Sequence, residues 1–125
     1  MSEAAKAYSR VATTTAGPRE IEAQALLKAA NKLQDVLTNR DETGERTKDA
    51  LLFNRKLWSI FMSDALRDEN NPQPLEVRQK IANIGMFVLT QTAALQLNPL
   101  NPQPEHFKSL IEINRNLAAG LSGRA

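Results

Sequence analysis

The sequence predicts an all-α fold, an antiparallel four-helix bundle, and three observations lead there. Prolines punctuate the chain at Pro18, at Pro72 and Pro74, and at Pro99, Pro102 and Pro104, places where a fixed φ and a missing N–H suit a helix start. Between them, apolar residues recur at about 100° per residue. β-branched clusters are rare, so no segment reads as strand.

The first element, residues 1–17, lacks a sustained period and reads as a flexible or short-helical arm carrying Tyr8 and Val11. The second segment, residues 18–125, reads as a single helical domain. Its first helix, about 18–38, places Ile21, Ala25, Leu26, Ala29, Leu33, Val36 and Leu37 on one side. Small core-facing residues (Ala25, Ala29, Ala30) let a neighbour approach closely. The second helix, about 43–67, carries Leu51, Leu57, Trp58, Phe61, Met62 and Ala65 opposite Lys48, Arg55, Lys56, Ser59 and Ser63. The third, about 74–97, offers Val77, Ile81, Ile84, Val88, Thr92 and Leu95, flanked by Met86 and Leu89. The fourth, about 104–121, offers Phe107, Leu110, Ile111, Leu117, Ala118 and Leu121, with Gly120 and Gly123 as stop signals. Links 39–43 and 68–73 are short enough for helical hairpins.

Composition narrows the function. A chain of 125 residues suffices for one core without staples. With no Cys, thiol catalysis, zinc–thiolate sites and redox switching are excluded. Lys and Arg number 16 against 14 Asp and Glu, a net charge of +2, and basic residues alternate with acidic ones, as in Arg19-Glu20 and Lys48-Asp49. That is not the footprint of a nucleic-acid binder, so no direct nucleic-acid contact is expected. The start of the chain has no apolar run of signal-peptide length, and no stretch reaches membrane-span length. A cytoplasmic protein with no membrane insertion is expected.

Candidate chemistry is sparse. His106 is the single His and has no second ligand for a metal site. No carboxylate pair is framed for acid–base work, and the five Gly are isolated, so no phosphate loop exists. No catalytic activity, metal or cofactor is expected. Three polar residues interrupt apolar stripes: Glu22, Asn54 and Asn114. A buried amide or carboxylate is costly unless hydrogen-bonded, so these are expected to be buried structural groups that anchor loops or fix helix register, the two amides bonding to loop backbone. Trp58 and Phe61 belong to the core. Leu27 and Phe87 project off the apolar faces of their helices, as side chains that receive a partner helix do. With Tyr8 and Val11, they are the candidate partner-binding residues.

Certain strings carry a family resemblance. Ala7-Tyr8 in the arm, Gly17-Pro18-Arg19 with Glu22, Asn54-Arg55-x-Leu57-Trp58-x-x-Phe61 with Asp64, and Ile113-Asn114-x-x-Leu117-x-x-Gly120-Leu121 resemble the flagellar biosynthesis regulator family FlaF over nearly the whole chain. The resemblance implies a part in flagellin production, opposing the translational repressor FlbT. The arm and first helix (Tyr8, Thr13 to Thr15, Pro18, Ile21 onward) are also similar to the start of the flagellin export chaperone FliS, a helical bundle that wraps the end of flagellin. The expected function is therefore a flagellin-binding secretion chaperone and positive regulator of flagellin synthesis in flagellum assembly. The alternative is a post-transcriptional regulator of flagellin mRNA acting with or against FlbT, which makes FlbT the second candidate partner after flagellin.

Overall fold

The computed structural model describes residues 18–67, 74–98 and 104–123. They form four α-helices and, among the described residues, no strand: α1 (Pro18–Thr38), α2 (Glu45–Leu66), α3 (Leu75–Gln96) and α4 (Pro104–Leu121). Pro18 and Pro104 open their helices and Pro74 caps α3, as the restricted φ of proline favours. The helices follow one another around an antiparallel bundle. α1 packs most intimately on α4 and α2 on α3, α1 also meets α2, and α3 and α4 barely touch. α2 and α4 thus face each other diagonally.

The core is built from Leu26, Leu33, Leu51, Trp58, Val88, Phe107 and Leu110, all fully buried. Each such side chain contributes on the order of 1.5–3 kcal/mol of transfer free energy. The small residues that turn inward on α1 are Ala23, Ala29 and Ala30. Ala25 is only partly covered, because the buried stripe of α1 is centred one position away from the expected one. On α3 the difference is larger. Ile81, Gly85, Val88, Thr92 and Leu95 are buried, whereas Val77 and Ile84, expected in the core, are 40% and 39% exposed. α3 carries two apolar stripes, and α2 covers one of them.

Gly85 sets how closely α2 and α3 approach. A Cβ there would lie 2.5 Å from Met62 Cγ and 2.7 Å from Met62 Sδ, with Trp58 Cε3 at 3.5 Å. The α2–α3 hairpin is also closed by Arg78, whose guanidinium donates to the Arg67 carbonyl at 3.0 Å.

The α1–α2 link is a built structure. α2 begins at Glu45, two residues later than the hydrophobic period suggests, because Gly44 turns with φ 78° at the N-cap, a conformation in which glycine pays no Cβ penalty. Asp41 accepts from the Thr47 backbone N–H at 2.8 Å and from its hydroxyl at 2.7 Å. Arg46 donates to Asp35 at 2.6 Å and to the Asn39 and Arg40 carbonyls at 2.9 and 2.7 Å. It thereby satisfies backbone acceptors left over beyond the end of α1. The Thr47 N–H holds the Asp41 carboxyl below the ordinary aspartate range, with the Thr47 hydroxyl and Arg46 adding to the effect. Asn39 and then Arg46 do the same for Asp35.

Candidate functional site

Asn54 and Asn114 are fully buried. Their partners are not loop backbone, as expected, but side chains on other helices. The Trp58 indole N–H donates to Asn114 Oδ1 at 2.8 Å. Asn114 Nδ2 donates to Asn54 Oδ1 at 2.8 Å. Asn54 Nδ2 donates to Thr92 Oγ1 at 3.3 Å. Thr92 passes its own hydroxyl proton to the Val88 carbonyl at 2.6 Å. The chain runs through α2, α4 and α3 and has one direction. An indole can only donate and a backbone carbonyl can only accept, so the two ends fix the orientation of both amides. Phe61 closes the surroundings of Trp58 in an edge-to-face contact, ring centroids 5.7 Å apart. These four polar residues are structural. They tie α4 to its diagonal partner α2.

Glu22 is half-buried on α1 and not sunk in the core. Burial pushes its carboxyl above the ordinary glutamate range, the negative charge of Asp64 pushes it further, and Arg19 pulls it back. Asp64 follows the Trp58–Phe61 string on the last turn of α2, so two of the residues in the sequence resemblance meet where the start of α1 faces the end of α2.

A surface feature that can receive another molecule lies where α3 and α4 separate. A groove of about 570 Å³ is lined by Asn83, Ile84 and Phe87 on one wall and Ile113, Asn116 and Leu117 on the other. Phe87 is 50% exposed. Its wall is the second apolar stripe of α3, begun one heptad earlier by Val77, and among the described residues no charged side chain lines the groove. The spacing of Val77 and Ile84 could have revealed this stripe in the sequence, had it been separated from the stripe that packs on α2.

The remaining candidates are dispersed. Leu27 packs at the edge of the core and lines a shallow concavity on α1 with Gln24, Lys28, Asn31, Lys32 and Asp35, away from Phe87. On the same side of the bundle Lys28 and Lys32 lie over the Phe53 ring at 5.3 and 5.4 Å from its centroid, and Lys32 pairs with Asp49 at 2.8 Å. Tyr8 and Val11 lie outside the described residues. Among the described residues no cluster of His, Cys, Asp and Glu is gathered as for a metal ion, and no helix is long and apolar enough to cross a membrane.

Compared with known proteins, the chain is matched over residues 4–121 by the family model described as flagellar protein FlaF. No curated protein and no solved structure matches it.

Proposed function

The chain belongs to the FlaF family of flagellar proteins, and from that membership we propose that it binds flagellin before assembly, as a secretion chaperone and positive regulator of flagellin synthesis in the cytoplasm. The observation that carries this reading is the family match over residues 4–121, to which the sequence resemblance adds a part in flagellin production. The groove between α3 and α4 supports it, because a binding protein for an amphipathic client needs an uncovered apolar surface. Binding alone accomplishes the task. A client whose apolar faces are covered neither polymerises nor aggregates, and its removal for export relieves any feedback on its synthesis. No catalytic step is required.

The test is reconstitution. Purified chain is mixed with unassembled flagellin and separately with flagellin mRNA and with FlbT, and complexes are resolved by sedimentation and calorimetry. A stoichiometric flagellin complex that delays filament formation is the expected result. Tight, sequence-selective RNA binding at physiological salt, with no flagellin complex, overturns the reading in favour of regulation at the message.

A further inference from the structure

We propose that the α3–α4 groove receives one α-helix of the protein partner, laid along the bundle as a fifth helix and presenting an uncharged apolar stripe. The identity of the partner rests on the reading above. The shape and chemistry of its docked segment rest on the groove.

Both walls are helices, whose interior N–H and C=O groups are spent on their own hydrogen bonds. The groove therefore offers no backbone edge. An extended segment would bring a row of unmet backbone groups into an apolar channel, where each is costly. A helix arrives with those groups already paired. The lining fixes the character of its face. Among the described residues Ile84, Phe87, Ile113 and Leu117 supply apolar contact, Asn83 and Asn116 are polar, and none that line the groove is charged. A charged residue on the docked face would be desolvated without a partner, whereas one Ser, Thr, Asn or Gln can meet the carboxamides.

The spacing fixes the direction. Ile84 and Phe87 are three residues apart on α3. Ile113, Asn116 and Leu117 stand at i, i+3 and i+4 on α4, so each wall is one helical stripe along the bundle axis. From Val77 to Phe87 the α3 stripe runs about 15 Å at 1.5 Å per residue. That length matches anchors at i, i+3 or i+4, i+7, and i+10 or i+11 on a docked helix. A second copy of this chain is the less suitable occupant. Stable dimers bury roughly 20–30 residues a side, and among the described residues six line the groove.

The test uses the full chain and three substitutions. Phe87→Glu places a charge in the groove, Asn116→Lys places one on its opposite rim, and Ile60→Glu is the control, since Ile60 is an exposed apolar residue of α2 outside the groove. Two probes are titrated by fluorescence anisotropy: peptides from the terminal helical segments of flagellin, and a designed 14-residue amphipathic helix with an uncharged apolar stripe. Phe87→Glu and Asn116→Lys are expected to weaken binding at least tenfold, with Ile60→Glu unchanged. Bound peptide should become helical by circular dichroism, and a proline at its centre should abolish binding. If flagellin binds the wild type but both groove variants bind equally well, the groove assignment fails and the flagellin reading stands. If flagellin does not bind but the designed helix does, and Phe87→Glu abolishes that binding, the flagellin reading fails and the groove assignment stands. Binding of neither probe, or a wild-type dimer in sedimentation that Phe87→Glu dissociates, overturns the assignment.

Discussion

The Trp58 indole N–H donates to the side-chain carbonyl of Asn114, 2.8 Å away, across the centre of the bundle. Both residues are fully buried, and among the described residues the backbones of their helices, α2 and α4, do not approach closely. The bond starts a one-way chain through Asn54 and Thr92 to the Val88 carbonyl. Chains of this kind strengthen their members and punish partial loss.

Removing Asn114 strands two buried groups, the Trp58 N–H and the Asn54 oxygen. Asn114→Ala should cost about 2–6 kcal/mol, at about 1–3 for each stranded group. Asn54→Ala should cost less, because Thr92 keeps its bond to Val88. The double variant should cost well under the sum of the two, since the residues share one network. Urea unfolding measures all three, and simple additivity would sink the chain as a cooperative unit.

Gly85→Ala should destabilise by about 1–3 kcal/mol through overpacking, although alanine is the better helix former by about 1 kcal/mol. The new methyl meets Met62. Adding Met62→Ala should therefore return part of the loss. A Gly85→Ala variant more stable than the wild type in thermal unfolding would show that Met62 moves aside freely.

Glu22→Gln should stabilise the protein at neutral pH. The Glu22 carboxyl is raised above its ordinary value of 4.5 in the folded state, so its ionised form opposes folding. That penalty is absent below the unfolded value and develops as pH rises through the folded one. The gain should be under about 1 kcal/mol, because the group is partly solvated, and should vanish below about pH 4. Equal stabilities across pH 4 to 8 by denaturant titration would contradict the assignment.

Asp41 works with the opposite sign. Its carboxyl lies below the ordinary 3.8, so its contribution is present above that value and is lost as pH falls through the depressed one. Asp41→Ala should destabilise at neutral pH, and the gap to wild type should close only below about pH 4. Asp41→Asn should keep most of the contribution, because an amide oxygen can still accept from Thr47. A gap that closes already at pH 5 would point to another group.

The helices were legible in the sequence because prolines mark three of the four starts and apolar period marks the bodies. The fourth start, at Gly44, depends on a left-handed turn and on Asp41 reaching Thr47 six residues on, a pattern that no apolar stripe announces. Periodicity also placed Asn54 and Asn114 inside, yet could not name their partners, because it gives the face of a helix and not which helix lies opposite. The same limit hid the groove. Phe87 stands out in the sequence as a residue that could meet a partner, but Ile84 looks like ordinary core until the separation of α3 from α4 is known.

The intimate pairing of α1 with α4 governs what happens during synthesis. The two segments leave the ribosome with α2 and α3 between them, and at roughly 5–20 residues per second the delay is on the order of several seconds. Through that interval Leu26, Leu33 and their neighbours have at most the cover that α2 gives, and the indole of Trp58 lacks its acceptor on α4. The core is therefore completed only when residues 104–121 emerge. A message broken upstream of codon 104 would yield a sticky, incomplete chain suited to proteolysis, not a weakened version of the protein.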